Sequence, residues 1–426
     1  MNTENKNTKK DENQVFALGC RLNTFEAELI KEQASKAGLS NTIFVNSCTV
    51  TQEAHKQSMQ LVRKLKKENP NANIIVTGCG AQMDPTAFAN MPEVSKVIGN
   101  KDKFSVEAFK STEKIVLNNI NEDIKEEFSI PQIKGFENRT RAFIQIQQGC
   151  DHKCTFCIIF EARGKSRSLA KEQIIAQIKQ AVTFGHKDIV LTGVDISSWE
   201  RDAPLNEPSQ IGQLCKDILA AVPELPRLRL SSLDPAVRDD NILDLIKNEP
   251  RFMPHIHLSL QAMNNSVLKN MGRRHSKESA IAWINDIRKA NPNVAFGADM
   301  ICGFPRETDE QFEDTYNTIK ELQIPFLHVF PYSERKGTVA ERMSPVPIDI
   351  RKRRSKMLSS LGEQIRSDLF KSKVGQIEEV LCEAKNMGYT KDYSLVKILG
   401  NETPKKELIN VKIVDYNNKH LIAEQI

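Results

Sequence analysis

Short apolar runs recur along this 426-residue chain, separated by longer stretches in which apolar residues return every three or four positions. Runs of the first kind read as strands buried on both faces, and stretches of the second as amphipathic helices. Their alternation predicts an α/β chain built on parallel sheets with crossover helices. Over 15–117 the strands are VFALGC (15–20), TIFVNSC (42–48) and NIIVTGC (73–79), with helices at 24–36, 52–68 and, shorter, 85–90. That is an open parallel α/β domain. Over 139–347 six further strands follow: AFIQIQQG (142–149), DIVLTGV (188–194), RLRLSSL (227–233), HIHLSLQ (255–261), AFGADMICG (295–303) and FLHVFPY (326–332). Helices between them, such as 171–184, 278–289 and 310–322, make this an incomplete, TIM-like (β/α)6 barrel with its chemistry at the C-terminal strand ends.

After 374 the pattern changes to short strands, QIEEVLCEA (376–384), SLVKIL (394–399), ELINVKIVDY (407–416) and HLIAEQI (420–426), with turns at 386–388 and 417–418. A small β-barrel of the size of an OB-like RNA-binding module is expected. The polar start, 1–14, reads as a disordered terminus, and the charged segment 118–138 as a linker.

Composition narrows the class of protein. No apolar run is long enough to span a bilayer, and the polar start resembles neither signal nor anchor, so a cytoplasmic chain is expected. There the nine cysteines stay reduced and serve as ligands or core thiols. The net charge of +5 matters only if concentrated. It is concentrated in a helix at 348–373. There Arg351, Lys352, Arg353, Arg354, Lys356, Arg366, Lys371 and Lys373 face only Asp349, Glu363 and Asp368. Such a helix is either an electrostatic footprint for a polyanion or a solvated surface.

The segment GCDHKCTFCIIFEARGKSRS (149–168) sets Cys150, Cys154 and Cys157 in the spacing C-x3-C-x2-C, with Phe156 just before the last. Three thiolates cannot complete a tetrahedral zinc site alone, so a zinc knuckle would need His152 or a remote fourth ligand. On a 4Fe–4S cluster, three thiolates leave one iron open. The spacing resembles that of radical S-adenosylmethionine (SAM) enzymes, in which the open iron binds SAM. That resemblance makes Cys150, Cys154 and Cys157 catalytic cluster ligands. It also makes Phe156, Thr192, Gly193, Asp195, Ser232, Asp234, Gln261 and Arg163 candidate SAM contacts, the alternative being that strand-end Asp and Ser merely cap helices. Cys20, Cys48 and Cys79 each end a strand of the first domain, on the edge where parallel sheets bind ligands, and Gly78 and Gly80 flank the last. Core thiols are the alternative for these three.

Taken together, LGCRLNTFEAE, NSCTV, TGCGAQ, CDHKCTFCII, ARGKSRS, SLQAMNNSVLKNMGR and GFPRET resemble the methylthiotransferase family of radical SAM enzymes over nearly the whole chain. The resemblance implies two 4Fe–4S clusters, the second held by Cys20, Cys48 and Cys79, and a C-terminal TRAM barrel. LGCRLNTFEAE and LTGVDISSW look most like the MtaB branch. This implies methylthiolation at C2 of N6-threonylcarbamoyladenosine-37 in the anticodon stem-loop of tRNA, with an external electron donor such as flavodoxin or ferredoxin and no DNA or membrane partner. The isopentenyladenosine branch and the ribosomal-protein branch are the alternatives, followed by a non-catalytic iron–sulfur RNA-binding protein. Where the family usually has Pro-Tyr after CII, this chain has Phe160 and Glu161.

Overall fold

The computed structural model describes residues 13–121, 128–131, 139–200 and 209–426. The expected disordered terminus, save its last two residues, and most of the expected linker lie outside the described residues. The described residues form two compact units. One takes those up to 131 together with Gln148–His152 and Cys157–Ser166; the other takes 139–147, Lys153–Phe156 and those from Arg167 onward.

In the first unit β1 (Gln14–Ala17), α1 (Arg21–Lys36), β2 (Thr42–Ser47), α2 (Gln52–Glu68), β3 (Asn73–Thr77), α3 (Gly78–Met83), α4 (Pro85–Ala89), β4 (Lys96–Ile98), α5 (Val106–Lys110) and β5 (Ile115–Val116) follow in order. The strands pair in parallel as β1-β2-β3-β4-β5. All of β2 is buried, which accounts for its unbroken apolar run. Alternate residues feed two cores. Ile43, Val45, Ile74 and Val76 pack with Val62, Leu65 and Phe88, whereas Phe44 and Ile75 pack with Ile30, Ala34 and Phe109. Each such side chain contributes about 1.5–3 kcal/mol by burial. Thr51 caps α2 by accepting from the Ala54 N–H, as Ser105 caps α5 through Ala108. The two short strands β4 and β5 and the short helices α3 and α5 are additions to the sequence reading. They are too short to leave a readable period.

The other segments supply β6 (Arg141–Gln145), β7 (Gln147–Gln148), α6 (Ile159–Arg163), β8 (Arg167–Ser168), α7 (Lys171–Thr183), β9 (Asp188–Thr192), α8 (Ile211–Ala221), β10 (Arg227–Leu230), β11 (Ser232–Leu233), α9 (Asp240–Asn248), β12 (His255–Gln261), α10 (Asn265–Met271), α11 (Lys277–Ala290), β13 (Ala295–Cys302), α12 (Asp309–Leu322) and β14 (Phe326–Pro331). Within the second unit the strands form two parallel sheets, β10-β9-β6 and β11-β12-β13-β14. The expected third barrel strand is shared between them. Its first half pairs with β9 as β10 and its second half with β12 as β11, while the Ser231 N–H still bonds to Leu191 O. The six-unit partial barrel is thus split in two at this strand.

The 26-residue α13 (Ile348–Lys373) leads into a closed barrel of β15 (Ile377–Ala384), β16 (Met387–Tyr389), β17 (Leu395–Leu399), β18 (Leu408–Tyr416) and β19 (Leu421–Gln425), ordered β15-β16-β17-β19-β18. The sequence reading places a turn at 386–388. The structure turns at Asn386 (φ 56°) and makes Met387–Tyr389 a fifth strand. Gly388 permits this, because a Cβ there would lie 2.3 Å from Leu381 O.

Arginines at the starts of the barrel strands tie this small barrel to the larger one. Arg229 bonds Asp188 (2.8 Å), Lys391 O (2.7 Å) and Thr390 O (3.0 Å). Arg227 reaches Tyr389 O and Glu379, and the Arg141 guanidinium lies over the rings of Tyr389 (4.7 Å) and Tyr393 (4.8 Å). Among the described residues no helix is long and apolar enough to cross a membrane.

Candidate functional site

Because β1, β2 and β3 are adjacent and parallel, their C-terminal ends share an edge, and Cys20, Cys48 and Cys79 come together there. Cys20 immediately precedes α1 at its N-cap position, Cys48 follows β2, and Cys79 sits in α3 just beyond β3. Glycines make the convergence possible. A Cβ on Gly19 (φ +89°) would stand 2.4 Å from Cys48 Sγ, and one on Gly78 (φ +91°) 2.3 Å from Asn46 Oδ1. Burial pushes the Cys48 thiol up to about 11, and proximity to Cys79 and Cys20 adds to it. Dense surroundings also raise Cys20, although its residue surface is exposed, with Arg163 pulling the other way. Thiols so placed keep their protons until a cation displaces them.

Arg163 meets these sulfurs. Its Nε donates to Cys79 Sγ (3.1 Å), its Nη1 to Glu26 Oε1 (2.7 Å) and Gln148 Oε1 (3.0 Å), and its Nη2 to Asn23 Oδ1 (2.6 Å). Glu26 also accepts from Lys103 Nζ (2.5 Å) and Asn46 Nδ2 (3.1 Å). Glu26 is 0%, Lys103 1% and Arg163 1% exposed. Burial alone would raise Glu26, yet the two cations hold it to about 2; Lys103 is pulled down to about 8 by burial against the attraction of Glu26. Arg163, expected from the sequence as a SAM contact, has its guanidinium bonded to Glu26, Asn23, Gln148 and Cys79. No local pattern announces this cluster, since Glu26, Lys103 and Arg163 are far apart along the chain.

In the same unit, backbone N–H groups point at two sulfurs of the C-x3-C-x2-C segment, His152 to Cys150 (3.4 Å) and Ile159 to Cys157 (3.4 Å). Gly149 (φ +76°) is required here, as a Cβ would lie 1.9 Å from Lys165 O. Phe160 and Glu161 sit in α6, with Glu161 facing solvent.

The second unit carries Cys154. Thr155 fixes it by donating its N–H to Met271 O (2.9 Å) and its Oγ1 to Asn270 O (2.8 Å), and by accepting from Ala340 N. Phe156, expected to touch SAM, packs edge-on to Phe304 (6.2 Å) against a cluster of Val267, Leu268, Met271 and Tyr332. Arg273 Nη1 donates to Cys154 Sγ (3.5 Å), while its Nη2 bonds Ser259 O (2.9 Å) and pairs with Asp234 (3.4 Å). Asp234 also binds Arg274 (2.7 Å). Burial opposes its charge, but the two arginines hold the carboxyl to about 2.

Thr192 ends β9 buried, and Gly193 follows where a Cβ would lie 2.9 Å from Gln147 O. Gln147 Oε1 accepts from the N–H groups of Val194 (3.0 Å) and Asp195 (2.8 Å), and the Asp195 carboxylate accepts from Ser198 Oγ (2.5 Å). Ser232 begins β11, half-buried. Gln261 ends β12 with φ 65°, a left-handed residue beside a register shift. The sequence reading missed Gln147, Arg273 and Arg274; the pair in MGRRH was the available signal.

The donor sets suit iron–sulfur clusters. All six cysteines are free, and one sulfur of each group of three accepts from an arginine, Cys79 from the buried Arg163 and Cys154 from the half-buried Arg273, a contact that would offset the negative charge of a bound cluster. The basic helix fares differently. Arg351 bonds Glu334, Val346 O and Tyr332 O; Arg354 bonds Glu307 and Asp309; Lys373 bonds Glu378 and Asp392. Much of its charge is therefore structural, and Lys352, Arg353, Lys356 and Lys371 remain on the surface.

Residues 144–319 match the Radical SAM superfamily, and residues 12–99 match the Uncharacterized protein family UPF0004. The chain is similar to the threonylcarbamoyladenosine tRNA methylthiotransferase MtaB of Rickettsia prowazekii, at 45% identity over 90% of this chain and 91% of that protein. It is similar to the Bacillus subtilis protein of the same name at 34%, over 93% and 92%. A Clostridium botulinum tRNA-2-methylthio-N(6)-dimethylallyladenosine synthase is 31% identical over 97% and 96%. Among solved structures, the radical SAM methyltransferase TsrM from Kitasatospora setae superposes with a TM-score of 0.55 at 11% identity, over 74% of this chain and 72% of that one. This likeness concerns the fold alone.

Proposed function

This chain belongs to the MtaB family of radical SAM methylthiotransferases, and on that premise we propose that it adds a methylthio group to C2 of N6-threonylcarbamoyladenosine at position 37 of tRNA. The observation that carries the reading is the 45% identity along nine-tenths of the chain, against 31% for a relative named for the dimethylallyl nucleoside. Cys150, Cys154 and Cys157 would hold the cluster that binds SAM, and Cys20, Cys48 and Cys79 the second. When bound, the first supplies the electron that cleaves SAM to a 5'-deoxyadenosyl radical, strong enough to attack an unactivated aromatic C–H, and the second supplies sulfur.

The chain's own groups do the rest. Arg273 and Arg163 each place an N–H on a thiolate, stabilising the anionic ligand and setting its orientation. Gly193 leaves room at the β9 end for close approach, and Gln147 orders the turn that carries Asp195. Thr192, Asp195, Ser232, Asp234 and Gln261 are the polar groups available to SAM at the strand ends, with Asp234 kept anionic by its two arginines. The domains are assigned as 15–117 for the second cluster, 139–347 for the radical SAM barrel and 374–426 for a TRAM-like module. That module, with the surface bases of α13, would hold the anticodon stem-loop, and flavodoxin or ferredoxin would deliver electrons. Anaerobic reconstitution with iron, sulfide, SAM and dithionite tests this. 5'-Deoxyadenosine and a methylthiolated stem-loop are expected; no 5'-deoxyadenosine from a fully reconstituted sample would refute the enzyme reading.

A further inference from the structure

Three polar residues of the partial barrel have no part in the scheme above. On β12, β13 and β14, Ile256, Leu258, Leu260, Phe296, Ala298 and Met300 are fully buried, and Leu327 packs against Gly362 of α13. These alternate positions face the covering helices, so His257, Asp299 and His328 share the opposite, inner face. His257 Nε2 and His328 Nδ1 both lie 3.2 Å from Asp299 Oδ1, with the imidazole centroids 4.9 Å apart. Asp299 is directly across from His328 in register, and His257 is across from Gly297. A Cβ on Gly297 would stand 2.4 Å from His257 Nδ1, so the missing side chain is what lets the imidazole cross β13 to reach Asp299.

The group is accessible and placed within reach of the cysteine segment. One layer below, His255 stacks on Tyr393 (4.8 Å) and closes the floor. One layer above, about 6.6 Å along the strand, Ser259 O holds Arg273, which also touches Cys154 Sγ. His328 is exposed, as is Phe330 on the same face of β14. A planar ring can lie on Phe330 while a polar appendage reaches the histidines and Asp299.

We propose that His257, Asp299 and His328 form the subsite for the polar N6 substituent of the substrate adenosine, a site that rests on the function proposed above. The threonylcarbamoyl group offers urea N–H and hydroxyl donors to the Asp299 carboxylate and its own carboxylate to the imidazole of His328. An apolar N6 substituent would desolvate Asp299 with nothing in exchange, which is how such a site discriminates.

The test compares reconstituted full-length wild type, His328→Phe and Asp299→Asn on two synthetic anticodon stem-loops, one with free N6-threonylcarbamoyladenosine and one with its carboxylate methyl-esterified. Wild type should favour the free acid by about tenfold or more in kcat/KM, the worth of one charge-assisted hydrogen bond. His328→Phe should erase that preference, chiefly through KM. Asp299→Asn should lower kcat/KM on both stem-loops by roughly tenfold. A preference that survives in His328→Phe overturns the subsite. So does a stoichiometric divalent metal, beyond the cluster iron, that is lost in His328→Phe, because two imidazoles and a carboxylate are also a metal donor set. Wild type that is inactive on the free-acid stem-loop, yet cleaves SAM, instead refutes the nucleoside assignment underneath.

Discussion

Glu26 carries the most consequential charge in the first unit, and replacing it with Gln removes that charge with almost no change in shape. Its carboxylate is fully buried between Lys103 Nζ at 2.5 Å and Arg163 Nη1 at 2.7 Å. With charge centres about 4 Å apart, each pair is worth roughly 4 kcal/mol gross at an effective dielectric of about 20. Desolvation offsets much of this in the native protein, but removing one partner leaves the others buried and uncompensated, which costs about 3–5 kcal/mol. Lys103→Met should cost less, since Glu26 keeps its bidentate bond to Arg163. The double variant should be better than the sum of the singles by at least about 1 kcal/mol, because it buries one fewer orphan cation than Glu26→Gln alone. Hydrogen exchange read on peptides covering α1 and β2 measures the local opening free energy. Glu26→Gln should lower protection there by about two to four orders of magnitude. A drop below tenfold, or strict additivity in the double variant, would refute the reasoning.

Other outcomes follow from the same structure. Gly19→Ala, which drives a Cβ into Cys48 Sγ, should lower iron after reconstitution from about eight to about four per chain, with SAM cleavage retained. Burial and the neighbouring Arg273 and Arg274 hold His275 down to about 4 against the pull of Asp234, so the unfolded state binds its proton first. Stability should therefore be lost as pH falls from 6.5 toward 4, by up to about 3 kcal/mol, and urea midpoints of His275→Gln should show a shallower slope. Arg229→Met strands the buried Asp188 and should cost about 3–5 kcal/mol, seen as faster proteolysis near residue 374; adding Asp188→Leu should recover most of it.

Strands and long helices were legible because apolar periodicity is local: β12 occupies 255–261 and α2 occupies 52–68, as their patterns require. Local pattern could not show that 227–233 serves two sheets, since the switch at Ser231 is a matter of pairing, nor that Gly388 sits in a strand, because the reason is a neighbour's carbonyl. The convergence of Cys20, Cys48 and Cys79 was readable from parallel topology, which sends successive strand ends to one edge. The buried Glu26–Lys103–Arg163 cluster was not, because charged residues read as surface and their pairing spans more than a hundred positions. For the same reason α13 read as a basic footprint or a solvated face, although Arg351 and Arg354 are interior ion-pair partners.

The nucleosides of total tRNA, compared by mass spectrometry between a parent strain and one lacking this gene, bear most directly on the reaction. Loss of 2-methylthio-N6-threonylcarbamoyladenosine with accumulation of N6-threonylcarbamoyladenosine is expected. The wild-type gene should restore it and a Cys154→Ala copy should not. An unchanged methylthio-threonylcarbamoyl peak, or loss of the methylthio-isopentenyl nucleoside in its place, would contradict the assignment.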